Sequence, residues 1–124
     1  MNNMKRFRSN FESNFAIFLD RNKIKYEYET VKIKYTPKER TYNPDFYLKD
    51  YDILIETKGR FTEADRAKHK RIKEQHPDLD IRFIFQNCKN KLYTGSKTTY
   101  AGWCDKHGFK YAEGEVPRAW MKTE

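Results

Sequence analysis

Residues 43–59 read NPDFYLKDYDILIETKG. This stretch holds two extended segments, Tyr42 to Leu48 and Asp52 to Lys58, parted by Lys49-Asp50 and closed by Gly59. Side chains on a strand alternate between faces. Ile53, Ile55 and Thr57 therefore turn to one face, where they can pack, and Glu56 and Lys58 turn to the other. An acid and a base side by side at a strand end are poor material for a core. They are good material for a metal site with a positioned ammonium. Asp45 lies on the preceding segment, and a hairpin-like return would set it beside Glu56. Two carboxylates together form a hard, oxygen-donor site suited to Mg²⁺, with Mn²⁺ as a substitute. Such an ion can polarise a phosphodiester and acidify a bound water, while a neighbouring lysine orients that water or offsets charge at phosphorus. The Thr57 carbonyl is a further available ligand. The plainer reading, an exposed strand face with a surface ion pair, stays open on these residues alone.

Outward from this stretch the pattern mixes helix and strand. Phe11, Phe15, Phe18 and Leu19 form one apolar stripe, predicting a helix over 10–21. Ser9 is placed to cap it, and Glu12, three residues on, would close a capping box. Ile24, Tyr26 and Tyr28 alternate as in a strand, and then the apolar parity flips to Val31, Ile33 and Tyr35. A flip of that kind means a bulge, a bend or two separate strands. Thr36-Pro37-Lys38-Glu39-Arg40 reads as a polar connector. After Gly59, Thr62 with Asp65 signals the start of a second helix, which His76-Pro77 stops after Gln75. Leu79 to Phe85 reads as a strand, and Lys97 to His107 as a helix ended by Gly108. Pro117 opens a last turn anchored by Trp120. Short connections and mixed elements predict one α/β domain over 1–124, a mixed sheet flanked by helices.

Composition narrows the function classes. The chain has 124 residues, 37% hydrophobic, 35% charged and 16% aromatic, with a net charge of +8. So many rings argue against disorder, and so polar a small chain gains core by pairing with a second copy. The charge favours a polyanion. No apolar run approaches the ~20 residues that span a bilayer, and no signal peptide follows the basic start, so no membrane partner is expected. Cys88 and Cys104 form no CxxC pair or disulfide framework and read as small buried hydrophobes in a reducing, cytoplasmic protein. Nothing calls for a small-molecule cofactor.

The D…ExK pattern of Asp45, Glu56 and Lys58 is the signature of the PD-(D/E)xK nuclease superfamily. Beyond it, the chain resembles the phage endonuclease I family of Holliday-junction resolvases over residues 7 to about 122. The stretches that carry the resemblance include Thr41-Tyr42-Asn43-Pro44-Asp45-Phe46, Ile55-Glu56-Thr57-Lys58-Gly59, the run from Glu74 to Arg82, Lys91-Leu92-Tyr93-Thr94-Gly95-Ser96 and Cys104-Asp105-Lys106-His107-Gly108. The resemblance implies a restriction-endonuclease-like fold and a metal-dependent endonuclease acting on branched DNA in the cytoplasm of a phage-infected bacterium. It implies catalytic roles for Glu12, Asp45, Glu56 and Lys58, with metal held by Asp45, Glu56, Thr57 and Glu12. It implies an intertwined homodimer in which residues 8–35 cross to the partner and each site takes Glu12 from the other chain. The segment from Val31 to Arg40 would then bridge the halves. The resemblance is to a coliphage relative that extends further at both ends and carries a lysine- and arginine-rich C-terminal tail. This sequence ends at Lys122-Thr123-Glu124, so the resemblance implies a weaker or more salt-sensitive grip on DNA.

Phosphate contacts are expected from Arg66, Lys68, Lys70 and Arg71 on the second helix and from Lys89, Lys91 and Lys97. A merely solvated helix face is the alternative. His69 and His76 read as surface residues first and phosphate contacts second, and His107 as a helix C-terminal residue. Phe46, Tyr47, Tyr93, Tyr100, Trp103 and Trp120 could stack on bases, though core packing is the commoner use. Rival readings are the same chemistry on mismatched, flapped or duplex DNA, a non-catalytic junction-binding protein, and an RNA-directed protein.

Overall fold

A computed structural model of the chain describes residues 7–35 and 40–122. Most of the connector read at 36–40, and the chain's last two residues, fall outside that range. A five-stranded mixed sheet forms the centre. Helix α1 (Asn10–Arg21) is followed by β1 (Glu27–Tyr28), β2 (Ile33–Tyr35), β3 (Arg40–Tyr42), β4 (Phe46–Leu48) and β5 (Ile53–Lys58). Then come α2 (Glu63–Gln75), β6 (Ile81–Phe85), α3 (Tyr100–His107), β7 (Lys110–Glu113) and a 3₁₀ turn, Arg118–Met121. The sheet order is β1-β4-β5-β6-β7, with β2 and β3 forming a separate hairpin. β4 runs antiparallel to both β1 and β5, whereas β5, β6 and β7 are parallel. The predicted mixed sheet flanked by helices is what forms.

The parity flip resolves into two separate strands. At Glu29 the backbone enters the left-handed region, φ +55°, where a residue with a Cβ carries about 1–2 kcal/mol of strain. The Glu29 N–H donates to the Asp45 carbonyl at 3.2 Å. That kink ends pairing with β4 and releases the chain into the β2–β3 hairpin. The single extended segment read over 42–48 is likewise broken, at Asn43-Pro44, into β3 and β4. A proline lacks the N–H that a continuous ladder needs.

Each face of the sheet has its own core. Phe15, Ala16 and Leu19 of α1 pack with Phe46, Leu48, Ile53, Ile55 and Ile84. On the other face, Ile72 of α2 and Tyr100, Trp103 and Cys104 of α3 pack with Leu54, Phe61, Phe83 and Phe85. The hairpin adds Ile33 and Tyr42 to this second core. The two periodicities therefore agree with the packing: β5 sends Ile53 and Ile55 to α1, and Leu54 to α2 and α3. Cys104 is fully buried, as expected, and its thiol is pushed up to about 12 by burial first and then by Asp105. Cys88 is half-buried.

Three expectations need correction. The third helix begins at Tyr100, capped by Thr99, rather than at Lys97, because the chain before it closes a loop through a Lys91–Thr99 bridge. Strand β7 was not foreseen, since its four residues at a sheet edge show no clean alternation. His69 is no surface residue. It is fully buried and meets Tyr42, Phe83 and Phe109 edge-on at 5.1, 4.8 and 6.3 Å between ring centres. Burial, with Lys68 and Lys58 nearby, lowers its pKa well below the usual histidine value. His76 sits at the C-terminus of α2, with Nε2 2.6 Å from the Lys34 carbonyl. Among the described residues no helix is long and apolar enough to cross a membrane.

Candidate active site

The site forms where β5 ends. Phe46 pairs with Ile55, and carrying that register one residue further sets Asp45 opposite Glu56. The hairpin-like return read from the sequence is thus present. Asp45 is 2% exposed. Its Oδ2 accepts from the Thr57 N–H at 2.9 Å and from the Thr57 hydroxyl at 2.8 Å. Thr57 therefore fixes Asp45 from the α1 face of β5. Glu56, one residue earlier, turns to the α2 face, and its Oε1 accepts from the Tyr42 hydroxyl at 2.8 Å. Lys58 shares that face, with Nζ 3.3 Å from Glu56 Oε2 and 3.2 Å from Asp65 Oδ1.

Electrostatics follow from this crowding. Burial, then the charge of Glu56, raises the Asp45 pKa to about 7 against the opposing hydrogen bonds of Thr57. Burial raises Glu56 as well, although Lys58, Lys68 and Tyr42 oppose it. Burial alone would lower Lys58, but Glu56 and Asp65 outweigh it and its pKa rises. Lys58 is therefore held as an ammonium. Tyr42 is pushed well above the usual phenol range by burial and by Glu56, so it stays a donor.

Glu12 reaches this place from α1. The Ser9 hydroxyl accepts from the Glu12 N–H at 3.1 Å, so the cap forms. The return half of the capping box does not close on Ser9. Glu12 Oε1 instead accepts from the Arg8 N–H at 2.9 Å and from the Tyr28 hydroxyl at 2.6 Å. Oxygens of Glu12, Glu29 and Asp45 lie within 4.8 Å of one another. The Arg8 guanidinium stands among them, with Nη2 2.9 Å from Asp45 Oδ1, Nε 2.6 Å from Glu29 Oε2 and Nη2 3.8 Å from Glu12 Oε2. Within this one chain, Glu12 already sits on the Asp45 side of the site.

The structure thus gathers Glu12, Asp45, Glu56, Thr57 and Lys58. Sequence reasoning missed Arg8, Glu29, Tyr28 and Tyr42, whose roles depend on contacts with residues distant in sequence. It saw Asp65 only as a cap. Asp65 does cap α2, accepting from the Thr62 N–H at 3.0 Å, and it also grips Lys58. A cleft of about 420 Å³ opens over the site, lined by Arg8, Lys32, Asn43, Glu56, Lys58 and Lys68 among others.

The expected phosphate contacts divide. Lys68 lines the site cleft and, with Arg71, a second cleft of about 580 Å³ beside it. Lys70 is exposed, and its charge acts on His107 at the end of α3. Arg66 is partly committed, its Nη1 donating to the Phe61 carbonyl at 2.7 Å. Lys89, Lys91 and Lys97 are all exposed, on and near the loop before α3.

A sequence profile described as Phage endonuclease I matches residues 1–124. The chain is similar to "Endonuclease I" of Escherichia phage T7, with 45% identity over 118 residues, 94% of this chain and 78% of that protein. It is similar to "Endodeoxyribonuclease 1" of Enterobacteria phage T3 at 45% over 118 residues, covering 94% of this chain and 77% of that protein.

Proposed function

Given that this chain belongs to the phage endonuclease I family and is an endonuclease, we propose that it resolves four-way DNA junctions by divalent-metal-dependent hydrolysis. Asp45, Glu56, Lys58 and Glu12 are its catalytic groups in this reading. The observation that carries it is the Glu56–Lys58 pair beneath an open cleft at the end of β5, with the buried Asp45 on the neighbouring strand close enough for its charge to act on Glu56.

The residues fit Mg²⁺ or Mn²⁺. The donors are all oxygens, and Asp45 and Glu56 are buried carboxylates whose raised pKa values mark a shortage of positive charge. Asp45 and Glu56 would hold the ion, with the Thr57 carbonyl and Glu12 as further ligands. A bound ion would supply an acidified water and charge neutralisation at phosphorus. Arg8 competes for the Asp45 oxygen that such an ion needs.

The chain's own side chains do the rest. Tyr42 and Lys58 fix the two Glu56 oxygens in place. Thr57 fixes Asp45 in turn. Lys58, held protonated between Glu56 and Asp65, acts as a cation toward a phosphate rather than as the base that takes a proton. Lys68 and Arg71 extend positive charge along the adjoining cleft, suited to the phosphate path of a DNA arm.

Resolution of a junction needs two symmetric nicks, and a two-fold dimer supplies two sites. The exchanged segment in this reading is residues 8–35, with 31–40 as the bridge. Within one chain α1 contributes Phe15, Ala16 and Leu19 to one core and brings Glu12 to the site, and exchange would have each chain make these contacts to its partner instead. The working compartment is the cytoplasm of an infected bacterium.

Cutting rates on a synthetic four-way junction and on its separate duplex arms test the substrate. The junction should be cut at least about tenfold faster, by paired nicks at symmetric positions. Equal rates on both would end the junction reading and leave a general endonuclease.

A further inference from the structure

Six aromatic residues could have met DNA bases, and the structure separates them. Phe46, Tyr100 and Trp103 are buried. Tyr47 and Trp120 are half-buried, the latter beneath Arg82 at 5.0 Å. Tyr93 alone of the six is open, with 65% of its surface exposed. It stands on a loop that is well held. Ser96 N–H donates to the Tyr93 carbonyl at 3.0 Å, Leu92 N–H to the Thr98 carbonyl at 3.0 Å, and the buried Ser96 hydroxyl to the Thr98 carbonyl at 3.1 Å. Gly95 supplies the φ of +89° that this turn requires. A large ring presented to water on a stiff loop gives up apolar burial without gaining mobility.

The ring borders a cleft of about 350 Å³ whose walls include Arg60, Glu63, Arg66 and Tyr100. Arg60 is exposed, and among the described residues it makes no hydrogen bond or ion pair. The walls carry two arginines against one glutamate, so an anionic group is favoured. Arg60 lies two residues beyond Lys58, a span of at most about 7 Å. This cleft therefore opens beside the active site, across the loop that joins β5 to α2. Lys91 and Lys97 are exposed on the same loop as Tyr93.

We infer that this cleft is a nucleotide subsite, in which a base that has left the DNA stack lies on the Tyr93 ring and its phosphate meets Arg60. The inference rests on the nuclease reading of the neighbouring site and deepens it, because it names a feature of the DNA that the protein recognises. Every base has a π-face, so the subsite is indifferent to sequence and selective for distortion. A fully paired arm keeps its bases stacked and does not fill it.

The test is binding in EDTA to three DNAs: a four-way junction, one fully paired arm, and that arm carrying an extrahelical 2-aminopurine. The proteins are the natural chain, Tyr93→Phe, Tyr93→Ala and Arg60→Ala. Tyr93→Ala should weaken binding to the bulged arm about tenfold and relieve quenching of the 2-aminopurine. Tyr93→Phe should keep both. Arg60→Ala should weaken the same complex, and binding to the paired arm should change less than about twofold. Unchanged affinity and quenching with Tyr93→Ala would overturn the subsite. So would an equal loss on the paired arm, which would make Tyr93 a general contact. The bulged arm contains no branch, so failure of the junction preference and failure of the subsite are read on different DNAs.

Discussion

Asp45→Asn is expected to lose at least about a hundredfold in phosphodiester cleavage while folding as well as the natural chain. The geometry separates the two effects. The asparagine carbonyl can still accept from the Thr57 N–H and hydroxyl, which now donate to Asp45 Oδ2. What disappears is a negative charge that the fold tolerates poorly. A carboxyl raised to about 7 by burial and by Glu56 binds its proton more tightly in the folded state than in the unfolded one, where its pKa is about 3.9. Stability from this group is full below about pH 4 and is lost as pH rises through 7. A neutral amide escapes that loss, although it also gives up the ion pair with Arg8. Melting at pH 8 should therefore show the variant at or above the natural protein, with cleavage gone. A variant that cut DNA normally would remove Asp45 from the site. A variant that was inactive only because it melted far lower would leave the catalytic role unsupported.

A mixture of two dead variants should recover activity. Glu12→Gln and Asp45→Asn each disable a different half of the site. If α1 crosses to the partner, a mixed dimer has one site carrying both substitutions and one carrying neither. Co-refolded variants should then nick a junction at a substantial fraction of the natural rate, limited by the share of mixed dimers. If each chain keeps its own α1, every site retains one defect and the mixture stays as inactive as its parts. Activity well above either parent alone supports the exchange, and none refutes it. The contacts of Glu12 with Arg8 and Tyr28 lie within the exchanged segment, so they would travel with α1 in either arrangement.

Much of this arrangement could be read along the chain. The alternation in 52–58 placed Glu56 and Lys58 on one face and Ile53 and Ile55 on the other, because strand geometry is local. The first helix and its Ser9 cap were local as well. What escaped depends on contacts across the fold. Arg8 meets Asp45 from 37 positions away, and no spacing rule links them. Asp65 was legible as a cap, but its grip on Lys58 appears only once α2 starts beside the end of β5. His69 was misread because α2 is charged on nearly every side. Its buried stripe is only His69 and Ile72, too narrow to stand out against eight lysine, arginine and acidic neighbours. Glu29 lies where the apolar parity flips, and only its left-handed backbone shows that the chain turns there.

Asp45 and Glu56 should together hold a divalent ion beside Lys58. Crystals of the protein grown or soaked with Mn²⁺ and measured at a wavelength where manganese scatters anomalously should show a peak within bonding distance, about 2.0–2.6 Å, of a carboxylate oxygen from each of Asp45 and Glu56, with the Arg8 guanidinium withdrawn from Asp45. A well-occupied manganese elsewhere, or none at these two carboxylates at saturating concentration, would remove them as the metal ligands.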